Sequence, residues 1–367
     1  MSIRVEVAAP TVAIAGDRAL SIAGFVGLLI AMAIGGWGVQ WDIRWHLLIG
    51  RDSFWIAPHV MTYAGVTLSA TIAFGMLALE RVRGRASQGW RLAAVGMALT
   101  ILAAPIDDLW HRLFGIDVTV WSPPHLLGLA GAHLNLLGAM LVAVELWPGS
   151  SRRRALGVLV AGTLLLGTCY VTVDPGVQTA FRRGGAFFFA WPLLGALGFT
   201  FSLSLTARAS GLRLAPLVVT VAALGLHVVG LGISDAGFAL TQPVPAIQEA
   251  IAADPTSPIA IAHEMARRSG TVVGRSFLLR WLPILPAAVL TLVDARRRWI
   301  AGGIAFGATL FVSAGHMLAG APSLRHALPA PGDVVLAALL IPPAALAGSA
   351  AARWLARRWP SPITPPA

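Results

Sequence analysis

Ten apolar runs of about twenty residues each recur along this chain, and no other feature limits its fold as strongly. They lie near 19–40, 58–79, 92–113, 123–147, 155–173, 186–206, 214–240, 277–295, 299–321 and 333–352. At roughly 1.5 Å of rise per residue, a helix of that length crosses the ~30 Å hydrocarbon layer of a bilayer. Apolar residues make up 57% of the chain, charged ones 12%, and mean hydropathy is +0.76. A water-soluble domain of this length has too little polar surface for that composition. The expected fold class is all-α, a polytopic integral membrane protein of about ten transmembrane helices. Run 19–40 ends without an A-x-A-like cleavage site, so it is expected to stay as a helix.

Arginine marks one side of this array. Arg81, Arg83, Arg85 and Arg91 follow the second run, and Arg152, Arg153 and Arg154 the fourth. Arg208 and Arg213 follow the sixth, Arg296, Arg297 and Arg298 the eighth, and Arg353, Arg357 and Arg358 the tenth. Cytoplasmic connections carry the basic excess. Both termini are therefore expected on the cytoplasmic side of a bacterial-type inner membrane, with Arg182 and Arg183 running against the pattern. The long outward connection 241–276 contains PIAIAHEMARRSG, which predicts a short amphipathic helix on the membrane surface. All 27 basic residues are arginine, and the +11 charge reads as helix anchoring, with the lipid bilayer as partner and no nucleic acid. The single Cys169 offers neither a disulfide framework nor a thiolate metal site, and it reads as a small buried hydrophobe. The chain has no P-loop and no H-E-x-x-H: Arg267 stands where His263-Glu264 would need a second histidine.

Within the first four runs one stretch is repeated. Residues 41–65 read WDIRWHLLIGRDSFWIAPHVMTYAG and residues 106–131 read IDDLWHRLFGIDVTVWSPPHLLGLAG. Aligned, Asp42 falls on Asp107, His46 on His111, His59 on His125 and Gly65 on Gly131. The spacing is D-x3-H-x12-H in one copy and D-x3-H-x13-H in the other, in a chain with only nine histidines. Asp42 and His46 lie one helical turn apart on one face, and Pro58 suits the first turn of the next helix, delivering His59 at its start. Asp107, His111 and His125 repeat this. Two imidazoles and one carboxylate suit Cu(II), Fe(II) or Zn(II) and leave positions open for water, dioxygen or substrate. Arg51, Asp52 and Asp108 are candidates to orient the imidazoles from behind. The plainer alternative is that these groups pair with one another and fix helix packing, but ionisable groups in membrane spans are costly and usually functional.

Other polar residues carry a weaker signal. His133, two turns beyond His125 and near Asn135, reads as a packing contact or a deeper ligand. His227 and Asp235 read as a buried pair holding two helices, with a proton path as the alternative. His263, beside Glu264, and His316 lie at a depth that can reach an outward-facing site, whereas His326 reads as a loop residue and Asp174 as a helix stop.

The set Asp42, Trp45-His46, Arg51-Asp52-Ser53-Phe54, Pro58-His59, Tyr63 and Gly65 resembles the metal-binding segment of the C subunit of the copper-dependent membrane monooxygenases, the particulate methane and ammonia monooxygenases. The second copy resembles that subunit's Asn-x3-His-x13-His site, with Asp107 where the family has asparagine. The resemblance spans roughly residues 35–135. It implies one copper site at Asp42, His46 and His59 and another at Asp107, His111 and His125, near the outer face, with Tyr63 among the residues behind the ligands. It also implies O2-dependent hydroxylation of a small substrate and partner subunits, one with cupredoxin domains, for which this chain has no polar, strand-patterned segment. The expected organisation is a four-helix metal-binding region, 1–150, and a six-helix region, 151–367, with self-association an open expectation. The alternatives are a metal sensor, chaperone or importer, and a proton-coupled transporter.

Overall fold

The computed structural model describes residues 11–50, 53–84, 87–114, 120–275 and 278–360, apart from the side chains of residues 11–17, 111, 278 and 279. Among these residues all regular structure is helical. The helices are α1 (Thr11–Leu48), α2 (Ala57–Val82), α3 (Gln88–Phe114), α4 (Pro123–Leu146), α5 (Arg152–Val173), α6 (Pro175–Arg183) and α7 (Ala190–Ser210). They continue as α8 (Ala215–Thr241), α9 (Ile247–Ala253), α10 (Pro258–Ser269), α11 (Leu278–Trp281), α12 (Ile284–Val293), α13 (Trp299–Gly320) and α14 (Pro331–Ala356). Nine segments of the described chain are long and apolar enough to cross a membrane: α1 from Arg18, α2, α3, α4, α5 continued by α6, α7 with the turn before it, α8, α13 and α14. The protein is an all-α integral membrane protein.

The expected eighth span, 277–295, is not a single helix. Pro283 separates the one-turn α11 from α12, whose ten residues cover only about 15 Å. The broken segment nevertheless joins the two ends of the bundle. Arg280 meets Asp174 at 3.4 Å, where α5 gives way to α6. At the far end Arg208 donates to the Ala295 carbonyl at 2.8 Å and Arg213 to that of Thr291 at 3.0 Å.

The sequence repeat is a repeat of helix crossings. In the α1–α2 hairpin a Cβ on Gly65 would lie 2.5 Å from Gly35 Cα and 2.9 Å from the Ala31 carbonyl oxygen. In the α3–α4 hairpin a Cβ on Gly131 would lie 2.6 Å from the Gly96 carbonyl oxygen and 2.7 Å from Thr100 N. Ala31 and Gly35 align with Gly96 and Thr100, so each hairpin closes on the same two positions. Small residues at these points let the backbones touch, which is how helices associate where lipid removes the hydrophobic drive.

The later helices pack directly on the first four. Trp37 donates to the Leu226 carbonyl at 3.0 Å, Gln40 to His227 O at 3.0 Å and Arg44 to Leu231 O at 3.2 Å, one stripe of α1 along α8. Gly230 and Gly237 make room for that stripe: a Cβ there would lie 2.7 Å from Gln40 Cδ and 2.5 Å from Trp41 Cη2, with Gln40 Oε1 and Trp41 Cζ2 closer still. One apolar core, with Trp90, Met97, Leu136 and Met140, fills the space among the first helices, and another, with Trp191, Phe199, Phe306 and Ile341, fills the later ones. The two cores meet along α5, which gives Leu165 to the first and Leu166 to the second.

Arginines collect at the end of the bundle away from the repeated histidines. Arg154 is buried there and donates to the carbonyls of Ala209 at 2.9 Å, in the last turn of α7, and Pro360 at 2.8 Å, beyond the end of α14. At the opposite end α10 occupies the stretch expected to be amphipathic. Its Glu264 accepts from Arg267 and from Arg268, each at 2.7 Å, and these bonds hold its carboxyl down to about 2 from the ordinary 4.5. A carboxyl with a lowered folded-state pKa stabilises above its unfolded value and loses that contribution as pH falls through the folded one. Protection of α10 amides against hydrogen exchange is therefore expected to decline between about pH 4.5 and pH 2. Glu264→Gln should lower protection at neutral pH and abolish that decline; an unchanged acid profile in the variant would contradict the assignment.

Candidate metal centre

The last two turns of α1 place aromatic and ligating side chains on different flanks because consecutive residues are about 100° apart. Trp41 and Trp45 pack on Phe238 of α8, with ring centroids 6.3 Å and 5.8 Å away. With these rings buried against α8, Asp42 and His46 turn toward α2. Pro58, in the first turn of α2, lacks an N–H that would have no helical partner there, and His59 follows it. The Gly35–Gly65 crossing draws the two helices together so that His59 reaches Asp42.

His59 Nε2 lies 3.1 Å from Asp42 Oδ1, and His46 Nδ1 lies 3.4 Å from the same oxygen. One donor atom from each of the three residues falls within 4.8 Å of the others, in a half-buried setting. Ligands about 2.0–2.2 Å from a common ion stand roughly 3–4 Å apart, so only a small closure is needed. Asp42 Oδ1 is shielded from solvent, yet among the described residues it accepts no hydrogen bond from either ring. His46 Nδ1 is 3.0 Å from the backbone oxygen of Asp42, one turn back. With a proton on Nδ1, that carbonyl accepts its hydrogen bond and Nε2 is the ligand nitrogen; in the other tautomer Nδ1 itself is unprotonated beside Asp42 Oδ1. These residues fit a divalent transition metal.

Tyr63 lies one turn beyond His59, with ring centroids 5.8 Å apart, and Phe54 packs on Tyr63 at 5.0 Å. They form an aromatic wall on one side of the imidazole. Arg51 and Asp52 lie outside the described residues.

The second copy reproduces the core of the first. Ser122 precedes α4, Pro123 and Pro124 occupy its first turn, and His125 Nε2 lies 3.4 Å from Asp107 Oδ1. The backbone of His111 is in α3, one turn beyond Asp107, and its side chain lies outside those described. The His125 and Asp107 side chains are 35% and 30% exposed, against 19% and 24% for His59 and Asp42, so this pair is the more open. Asp108 turns away and pairs with Arg112 at 2.7 Å.

The remaining candidates separate. His133 stays in the α4–α5 contact, with Nδ1 2.7 Å from the Leu129 carbonyl oxygen and Nε2 3.3 Å from Thr168 Oγ1 and 3.6 Å from Cys169 Sγ. Asp235 accepts from Arg44 at 2.8 Å and Arg275 at 3.0 Å, so among the described residues its ion pairs are with arginines and not with His227, two turns earlier. His263 donates from Nε2 to the Leu47 carbonyl at 2.6 Å and thereby ties α10 to the turn carrying His46. His316 is exposed on α13, and His326 Nε2 bonds the Phe181 carbonyl at 2.8 Å. Arg44 is the polar residue that the sequence reading passed over. Its signal was a guanidinium placed between two ligands on an apolar helix, a position too costly to leave without a partner.

No protein-family model, curated protein or solved structure matches this chain.

Proposed function

We propose that this protein is a membrane metal-binding protein in which Asp42, His46 and His59 hold one divalent transition-metal ion, with Asp107, His111 and His125 as a related second site. The observation that carries this reading is Asp42 Oδ1, a solvent-shielded carboxylate oxygen between two imidazole nitrogens at 3.1 and 3.4 Å that accepts no hydrogen bond among the described residues. An ion between them would be bound by the carboxylate and both imidazoles at once. The nitrogen and oxygen donor set selects Cu(II), Fe(II) or Zn(II). The resemblance of the repeated segment to copper monooxygenase C subunits makes copper the ion we propose. By positive-inside orientation the sites lie at the outer face of the inner membrane. Three protein ligands leave the ion a free position at which it can polarise or activate a small molecule. By the same resemblance that molecule is dioxygen, used with partner subunits to hydroxylate a small substrate. His46 and His59 bind, Asp42 binds and balances charge, and Tyr63 and Phe54 limit access of water from one side.

The test is elemental analysis of detergent-purified protein reconstituted with Cu(II), Fe(II) and Zn(II) in turn, comparing wild type with His59→Ala and His125→Ala. About two ions per chain are expected in the wild type and about one fewer in each variant, because loss of one of three ligands removes most of the affinity. Absence of bound metal from wild type and variants alike would overturn the reading.

A further inference from the structure

A second candidate binding site lies on the other flank of the same turns of α1. Arg44 is two residues from both Asp42 and His46, about 200° around the helix, and faces α8. There an open cleft of about 620 Å³ lies between the ends of α1 and α8 and the connection that follows α10. Its charged wall holds two guanidiniums and one carboxylate. Arg44 Nη2 and Arg275 Nη2 both donate to the same oxygen, Asp235 Oδ1, at 2.8 and 3.0 Å. Two positive groups on one negative group leave a surplus positive charge.

The two arginines are committed to different degrees. Arg44 is only 4% exposed, bonds Ser234 and the Leu231 carbonyl, and lies 5.4 Å over the Phe238 ring. It is part of the wall. Arg275 has a half-exposed side chain on the cleft, and its one side-chain ion pair among the described residues is with Asp235. A guanidinium has five N–H donors in a planar fork suited to a carboxylate or phosphate. Gln242 joins the same wall from a left-handed backbone position, φ 41°, which strains a residue with a side chain and sets an amide beside the cleft. Phe238 and the exposed Val272 supply an apolar surface next to these polar groups.

We propose that this cleft binds an amphiphilic organic monoanion, its head on Arg275 and its apolar body along Phe238 and Val272. One surplus charge suits a carboxylate or a phosphodiester, and the apolar wall distinguishes such a ligand from an inorganic anion. The source is either a free carboxylate or an anionic phospholipid of the adjoining leaflet. The proposal does not depend on the metal reading, since none of these residues is a proposed ligand.

The test uses the full chain. In neutral maltoside micelles, equilibrium dialysis with labelled hexanoate, corrected for protein-free micelles, is compared with hexanol for wild type, Arg275→Gln, Val272→Glu and Arg297→Gln, the last an 83% exposed arginine at the far end of the bundle. In parallel, protein in phosphatidylcholine nanodiscs with or without phosphatidylglycerol is examined for retained lipid by native mass spectrometry. Saturable hexanoate binding in wild type and Arg297→Gln, at least tenfold weaker for hexanol and for the two cleft variants, identifies a carboxylate site. Retention of phosphatidylglycerol alone, lost in both cleft variants, identifies a lipid site. Binding of neither anion, equal binding of hexanol, or binding unchanged in Arg275→Gln and Val272→Glu would overturn the proposal.

Discussion

Valine in place of Gly65 is expected to strip metal from the Asp42, His46 and His59 site while every ligand remains in the chain. The new Cβ alone would stand 2.5 Å from Gly35 Cα and 2.9 Å from the Ala31 carbonyl oxygen, and backbone at a helix crossing cannot rotate away. Overpacking of this kind costs about 1–3 kcal/mol, and here it is relieved by separating α1 from α2. That separation carries His59 away from Asp42, now 3.1 Å apart. A displacement of even 1 Å exceeds the tolerance of a metal site, so affinity should fall by at least about tenfold. Gly75 in the same helix has open space around its Cβ position, and Gly75→Ala should leave metal binding intact. Metal titrations of the two variants, with size-exclusion profiles to verify folding, decide the matter. A Gly65→Val protein that binds as the wild type does would show that the crossing does not set the site. By the same logic Gly131→Val should loosen the Asp107–His125 pair and spare the first site.

The second large effect concerns Asp235. Asp235→Ala leaves the Arg44 guanidinium, 4% exposed, without its carboxylate between α1 and α8. Uncompensated buried charges cost about 3–5 kcal/mol, and the 45% exposure of the Asp235 side chain brings the expected loss to about 2–3 kcal/mol. Arg44→Met combined with Asp235→Ala should be more stable than Asp235→Ala alone, because the stranded charge is gone and an apolar side chain fills its space. Thermal unfolding in a fixed detergent measures both, and a double variant less stable than the single one would refute this account of the pair.

Much of the site was legible because its parts are local. Asp42 and His46 are one turn apart on one helix, and Pro58 announces the helix start that delivers His59, so periodicity and a single proline suffice. Duplication of the pattern in Asp107, His111 and His125 separated these residues from isolated histidines such as His316, which stands exposed on α13. Arg44 was not legible in the same way, since its partners, Leu231 O, Ser234 and Asp235, lie nearly two hundred positions along the chain. For the same reason Asp235 reads in sequence as a companion of His227 on its own helix, whereas in space it answers arginines from α1 and from the loop after α10. The eighth span, 277–295, reads as continuous because hydropathy averages over Pro283, while the helix depends on the backbone N–H that proline lacks.

The amino-acid sequence by itself determined the class of this protein, because apolar length and arginine placement act through solvent transfer and need no knowledge of neighbours. It also determined which residues share a helical face. The tertiary structure alone decided which faces meet. Gly65 on Gly35 brings His59 to Asp42, Gly131 on Gly96 and Thr100 brings His125 to Asp107, and Gly230 and Gly237 admit α1 to α8. Distances of a few tenths of an ångström at these crossings depend on backbone-to-backbone packing between segments remote in the chain, and no local pattern of residues encodes them.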